Sequence, residues 1–423
     1  MTPGGHPAVG VDPRPRLSER HVLALSLAVC GGFVVAAVIA AGWAAVTAGA
    51  TWAALHLSLA GAATVAIGAF MPHFAVTLAG TRPAPPVRRL ATIALLAAGS
   101  ASVVLGVFAG ARPLSATGTA LVLLGLAGVA VQTLAPLREP LARRHPLVTA
   151  AYGIALLELA VGVLIGGLGA VGVPAIVSAW AAYRPAHAWL TLFGAISLTI
   201  FATLVYLAPT IFGARIRNGW ALVMALVGIG IGPIMVAAAF ALDLRAVVVA
   251  GMGITAAGAV GQVAYVLDSR RRRGPYTSEH DWRSVVTGHL LAGPCWFAAA
   301  VTVALVELAL GRGVGSWSLG LLATPMIAGW MLQGLVGSWT HLVPAVTPGD
   351  PAAHARQRRI LAAGSRSRLI AWNGGVALLW GGLAIGLPVV ATSGGVMLVA
   401  AVIGSSILLA RALAQAPIPL GPR

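Results

Sequence analysis

The chain has 423 residues, of which 59% are hydrophobic and only 9% are charged, and its mean hydropathy is +0.92. A water-soluble globular domain of this length would not tolerate such a composition, so the sequence predicts an integral membrane protein. The formal net charge is +17. Membrane topology and anionic lipid account for this charge without a nucleic-acid partner.

Long apolar runs follow one another along the whole chain. A helix that crosses a bilayer needs about 20 mostly apolar residues, and twelve runs meet this requirement. They cover residues 21–48, 51–79, 87–111, 114–136, 147–171, 187–213, 219–242, 244–267, 284–311, 316–346, 368–390 and 391–414. We therefore predict an all-α fold with twelve transmembrane helices in a single membrane domain, residues 21–414. Residues 1–20 form a predicted disordered tail and 415–423 a short tail.

Arginine supplies all 27 basic side chains, and its distribution predicts the orientation. If the N-terminus lies inside, 23 arginines fall in inner segments. The four outer ones are Arg112, Arg184, Arg245 and Arg312. This asymmetry follows the positive-inside rule. We expect a multi-pass protein of the plasma membrane, in contact with the lipid bilayer, with both termini cytoplasmic.

Three apolar segments share a glycine that is followed twelve residues later by a ring-bearing side chain. The pairs are Gly61 with His73, Gly194 with Tyr206, and Gly329 with His341. The glycines are 133 and 135 residues apart, about a third of the chain, which predicts three pseudo-repeats of four helices, at about 21–136, 147–267 and 284–414. A duplicated six-helix transporter would place its repeats about 200 residues apart, so the period argues against that class.

Two histidines are predicted near the outer face. His56 lies about one turn inside the second helix, and His187 opens the sixth. Imidazoles within apolar helices usually face the bundle interior, where they bind a metal, a haem or a polar partner. The nearby aromatic residues, which could flank a planar cofactor, are Trp52, Trp180, Tyr183 and Trp189. The alternative is an interfacial aromatic belt with histidines that cap helices.

A second layer of ring-bearing residues is predicted at the inner face, where His73, Tyr206 and His341 end their helices. From His56 to His73 is 17 residues, about 25 Å along a helix, so these two cannot share a metal. Tyr206 in place of a histidine favours helix-end packing in this layer. A ligand role for these residues stays open, as it does for the deeper His289.

Other polar residues inside the apolar runs are few. Glu158 is the carboxylate predicted near mid-membrane, where it would be neutral or part of a proton relay. Gln333 and Asn373 are expected to form hydrogen bonds between helices. Cys30 and Cys295 lack CxxC spacing and are predicted to be small core residues.

Several short segments of the sequence resemble those of the haem-copper oxidase subunit I-like superfamily, particularly its cbb-type oxidase and nitric oxide reductase branch. The similar segments are His187-Ala-Trp-Leu-Thr-Leu-Phe-Gly, Thr203-Leu-Val-Tyr-Leu-Ala-Pro209 and Trp52-Ala-Ala-Leu-His56. The resemblance implies a twelve-helix bundle with three-fold pseudo-symmetry and metal sites in the outer half. It also implies that His56 stands where that family has a low-spin haem ligand.

The sequence departs from that family at the catalytic centre. The oxidases carry further histidines on helices seven and ten, whereas residues 219–242 contain no histidine and helix ten reads Leu322-Ala-Thr-Pro-Met326. The full binuclear centre is absent, so reduction of oxygen or nitric oxide by the oxidase mechanism is not expected. The resemblance leaves at most one haem b or one copper site, with His56 as ligand and His187 or Met326 as its partner.

The leading hypothesis is an oxidase-like membrane protein in electron transfer or in the response to nitrogen oxides or copper. The chain also resembles actinobacterial-type members of the superfamily that are associated with copper-oxidase-like domains. A cupredoxin-like or other redox protein at the outer face would then be its partner, and enzymatic activity is left open. The alternatives are a small-solute or proton-coupled transporter that uses Glu158, and a membrane anchor for a copper-containing redox enzyme.

Overall fold

A computed structural model describes residues 19–43, 49–139, 145–274, 282–310, 322–347 and 349–415. No β-strand occurs in these ranges, and helices dominate them. The expected all-α class is confirmed. The predicted tails lie outside the described residues apart from Glu19, Arg20 and Gln415.

Twelve long helices follow the order of the apolar runs within the described ranges. They are α1 Glu19–Trp43, α2 Ala50–Ala79, α3 Pro86–Phe108, α4 Arg112–Leu134, α5 Pro146–Val171, α6 Trp180–Phe212, α7 Trp220–Ala241, α8 Arg245–Arg271, α9 Trp282–Ala309, α10 Thr324–Met331 continued by Leu332–Val346, α11 Ser365–Ile385 and α12 Pro388–Ala414. All except α10 are long and apolar enough to cross a membrane. The chain is therefore a multi-pass membrane protein.

Proline and glycine mark many of the helix ends. Proline occupies the first turn of α3, α5 and α12, where its missing N–H costs no hydrogen bond. Glycines in the left-handed conformation end other helices, with φ of 63° at Gly80, 87° at Gly172 and 64° at Gly213. Only glycine adopts that conformation without strain, so these residues allow the short turns between helices.

Three helices share a π-helical segment around the repeated glycine. The segments are Leu57–Ala63 in α2, Trp189–Ile196 in α6 and Thr324–Met331 in α10. Each glycine lies against a bulky side chain of the preceding long helix, which is Phe33 for Gly61, Glu158 for Gly194 and Trp296 for Gly329. A Cβ atom at any of the three would overlap that neighbour, which explains the repeated glycine.

Hydroxyl groups satisfy carbonyls within two of the π-helical segments. Thr64 Oγ1 donates to the Leu59 carbonyl at 3.1 Å, and Ser197 Oγ donates to the Leu192 carbonyl at 2.7 Å. Each bond spans five residues, as expected where a π turn displaces the regular pattern. Ser197 Oγ also accepts a hydrogen bond from Trp330 Nε1 at 3.0 Å, which joins α6 to α10.

Burial separates inner helices from peripheral ones. In the most apolar stretch of each helix, 67% of residues are buried in α2 and 78% in α6, against 33% in α1, α5 and α12. Peripheral helices instead expose large apolar side chains, such as Leu157 and Val389. Helices α2 and α6 therefore form the centre of the bundle, and the exposed apolar surface suits contact with lipid.

Several details differ from the expectations. Helix α6 begins at Trp180 and α11 at Ser365, both earlier than predicted, and an additional helix, Pro351–Ala362, occupies the loop before α11. His187 consequently lies about two turns inside α6 and does not open it. Cys30 is buried as predicted, but the prediction for Cys295 was wrong, because it lies on the exposed side of α9.

Candidate two-histidine site

The structure brings His56 of α2 and His187 of α6 together. Their ring centroids are 6.4 Å apart, and the ring planes differ by only 6°. Both side chains are half-buried, and both follow the start of their helices by about two turns. The two histidines predicted from sequence therefore form a pair at one end of the bundle.

Backbone carbonyls orient both imidazoles. His56 Nδ1 lies 2.9 Å from the Trp52 carbonyl oxygen, and His187 Nδ1 lies 2.7 Å from the Gly162 carbonyl oxygen. Since a carbonyl only accepts, Nδ1 is the donor in each ring, and the Nε2 lone pair of the neutral imidazole is left available. Neither Nε2 has a hydrogen-bond partner among the described residues. Metal-ligating histidines are typically oriented in this way.

The walls of the pair come from α2 and α5. The Trp52 ring stacks on His56 with centroids 4.0 Å apart. On the other side, a Cβ atom at Gly166 would lie 2.7 Å from Cε1 of His187. Glycine at this position of α5 therefore makes room for the imidazole, and the neighbouring turn of α5 supplies the carbonyl that holds it.

The separation of the two ring centroids leaves room for one metal ion between the imidazoles. An imidazole nitrogen lies about 2.0–2.1 Å from its metal, so two rings that bind one ion from opposite sides have centroids about 6 Å apart. The observed separation between His56 and His187 is 6.4 Å. Imidazole pairs suit copper, zinc, nickel and iron. Within the described part of the chain no group of three or more His, Cys, Asp or Glu side chains could hold a metal.

The remaining outer candidates lie elsewhere. Trp189 is fully buried and stacks on Phe193 with centroids 4.2 Å apart, and Trp180 packs over Gly169 of α5. Trp52 therefore supplies the aromatic wall of the histidine pair. Met326 is fully buried in the π-helical segment of α10 and takes no part in the contacts that hold the two imidazoles.

Two of the inner residues make ring contacts with different neighbours. The Tyr206 ring meets His145 edge-on at 5.2 Å, whereas the His73 ring meets its neighbour Phe74 at 5.7 Å. His341 lies in the last turns of α10. Packing at the helix ends therefore stays a prediction for this layer.

His289 takes part in a buried polar network between α9, α10 and α11. Its Nδ1 lies 2.9 Å from Gln333 Oε1, and Gln333 Nε2 donates to Asn373 Oδ1 at 3.0 Å. Trp296 Nε1 donates to the same oxygen at 2.8 Å. The interhelical role of the two amides was predicted, but their link to His289 was not, because the partners are on different helices.

Glu158 is buried in α5, with 1% of its surface exposed, and neither carboxyl oxygen has a hydrogen-bond partner among the described residues. The carboxyl group lies against Gly194 in the π-helical segment of α6. One turn farther along α5 is Gly162, whose carbonyl holds His187. A continuous helix interface thus connects the buried carboxyl group to the histidine pair. Glu307 is half-buried near the end of α9.

No protein-family model matches this chain, and no curated protein matches it at a significant level.

Proposed function

We propose that the chain is a twelve-helix membrane protein of haem-copper-oxidase-like architecture, with three pseudo-repeats and both termini in the cytoplasm. The equivalent π-helical segments and the bulky residues packed on their glycines support the three-fold arrangement. The arginine distribution supports the orientation, and we propose the plasma membrane as the location.

The proposed function is that of a membrane redox protein with one metal site near the outer face. His56 and His187 would bind either a copper ion or the iron of one haem b through their Nε2 atoms. The observation that carries this proposal is the parallel pair of imidazoles at 6.4 Å, each fixed through Nδ1. The chain would serve electron transfer or the response to nitrogen oxides or copper, and would not act as a terminal oxidase.

Each surrounding residue has a definite task in such a site. The Trp52 and Gly162 carbonyls keep the two Nε2 lone pairs available, and the Trp52 ring covers one face of His56. Gly166 leaves the space that the His187 ring occupies. A bound copper or haem iron would supply one-electron redox chemistry. Because both imidazole rings are only half-buried, electrons could pass between this site and a cupredoxin-like protein at the outer surface.

Metal analysis and a reduced-minus-oxidised spectrum of the purified protein test the proposal. We expect about one copper ion or one haem per chain in the wild type, because the chain has one proposed pair of imidazole ligands. His56→Ala and His187→Ala should each lose it, whereas His73→Ala, at the other end of α2, should retain it. A folded wild-type protein, reconstituted with copper and with haem, that binds neither would refute the proposal.

A second candidate is a proton-coupled transporter, and the position of Glu158 favours it. The Glu158 carboxyl group is buried and has no hydrogen-bond partner among the described residues, so it could carry a proton during transport. Uptake of a solute into liposomes, driven by a proton gradient and lost in Glu158→Gln but retained in Glu307→Gln, would support this function. Metal binding without gradient-driven uptake would contradict it.

A further inference from the structure

A second feature of the bundle is an apolar cavity of about 370 Å³ between α1, α10, α11 and α12. Its lining on α10 runs from Leu332 to Val343, about 16 Å at 1.5 Å per residue. This is about half of the ~30 Å hydrocarbon thickness of a bilayer. The cavity therefore extends over about half of the bilayer thickness, towards the side where α1 begins and α12 ends.

The cavity is accessible from the lipid-facing surface. Ala28, Val35 and Ala410 line it and are exposed, with 52% of Val35 accessible. An enclosed cavity of about 150 Å³ with an apolar lining is already large enough to take benzene. A lipid-soluble molecule can thus enter this larger space directly from the membrane.

Two tryptophans give the cavity its chemical character. Trp339 is 6% exposed, and its Nε1 has no acceptor among the described residues. Trp372 is fully buried, and its ring is fixed because Nε1 donates to the Ala328 carbonyl at 2.8 Å. The hydroxyl-bearing Ser406 also lines the space. A buried indole N–H usually has a partner, and the cost of leaving it unpaired is high in a membrane.

The depth of Trp339 narrows the choice of occupant. This residue lies seven positions before the end of α10 at Val346, about 10 Å along the helix. The ester groups of a phospholipid lie at the membrane surface, so a phospholipid would present only hydrocarbon to the indole N–H. A planar head group with an acceptor oxygen and an apolar tail would fill the space, accept the hydrogen bond and contact both indole rings.

We propose that this cavity binds a membrane quinone, with one ring oxygen accepting from Trp339 Nε1 and the isoprenoid tail extending towards the lipid. Trp339 also lines a smaller cavity of about 80 Å³ at the centre of the bundle. The quinone site uses none of the residues of the histidine pair, so it stands independently of the proposed metal site.

Binding of a tritiated, decyl-tailed quinone to the purified full-length protein tests the site. Gly31 lines the cavity and has open space in front of its Cα, so Gly31→Phe should fill the cavity and weaken binding at least tenfold. Gly32 has the same open space but does not line the cavity, which makes Gly32→Phe the matched control. Trp339→Phe keeps an aromatic ring and removes the N–H, and should weaken binding about threefold to tenfold.

His56→Ala should bind the quinone as the wild type does, which separates this test from that of the metal site. The quinone assignment is overturned if the wild type shows no saturable binding, or if Gly31→Phe binds like Gly32→Phe. Unchanged binding by Trp339→Phe would overturn the assigned hydrogen bond. Native mass spectrometry that finds a phospholipid, displaced by Gly31→Phe and not by quinone, would also overturn the proposal.

Discussion

Gly166→Ala is expected to weaken metal binding without altering either ligand. The new Cβ atom would lie 2.7 Å from Cε1 and 2.9 Å from Nδ1 of His187. Carbon atoms in contact are about 3.5–4.0 Å apart, so the ring must move by about 1 Å. That movement strains the 2.7 Å hydrogen bond from Nδ1 to the Gly162 carbonyl and turns Nε2 of His187 away from the proposed metal position.

The size of the effect follows from the role of such orienting contacts. Loss of a residue that orients a metal ligand typically reduces metal affinity by 10–100-fold, which is about 1.4–2.8 kcal/mol at 1.4 kcal/mol per tenfold. Alanine is the better helix former, by about 1 kcal/mol. A weaker site in Gly166→Ala would therefore not arise from a weakened α5 helix.

Competition titration with a copper chelator, or haem titration if haem is the cofactor, measures the affinity. Gly153→Ala is the matched control, because Gly153 is also in α5 and has open space where its Cβ would be. We expect Gly153→Ala to bind as the wild type does. An affinity of Gly166→Ala within threefold of this control, in folded protein, would refute the assignment of His187 as a ligand.

Three further substitutions test the buried polar groups, each by thermal unfolding in detergent. The melting temperature of Glu158→Gln should lie within a few degrees of that of the wild type, because the carboxyl group has no hydrogen-bond partner among the described residues. A large destabilisation would show that the charge of the carboxyl group is needed. Gln333→Leu leaves the buried His289 Nδ1 unsatisfied and should cost about 1–3 kcal/mol, so an unchanged melting temperature would argue against the network. Ser197→Ala leaves the buried Trp330 Nε1 without its acceptor and should likewise cost about 1–3 kcal/mol, so an unchanged melting temperature would argue against this contact between α6 and α10.

The helices themselves could be predicted from sequence because each apolar run must satisfy its own backbone within lipid. The repeated glycines could also be recognised in the sequence. The reason for their repetition could not be predicted, because the side chains that pack on Gly61, Gly194 and Gly329 belong to other helices. The π-helical segments leave no hydropathy signal and appear only in the backbone.

Polar helical segments were the main source of error. Arg184 and Pro185 made the first turns of α6 look like a loop, so the sequence predicted that His187 opens the helix, whereas it lies about two turns inside it. The helix Pro351–Ala362 is also too polar for a hydropathy search. A local signal was present there, since Asp350 caps this helix by accepting from the Ala353 N–H at 2.6 Å, with proline in the first turn.

Composition and hydropathy are properties of local segments, so the membrane class, the succession of apolar helices and the two candidate histidines could be read from the amino-acid sequence. The pairing of His56 with His187 could not, since they are 131 residues apart and the rotation of each ring depends on how α2 and α6 pack against α5. The same packing leaves the Glu158 carboxyl group without a hydrogen-bond partner among the described residues and opens the cavity beside Trp339. A buried polar group acquires its role from the helices around it, and those contacts exist only in the folded bundle.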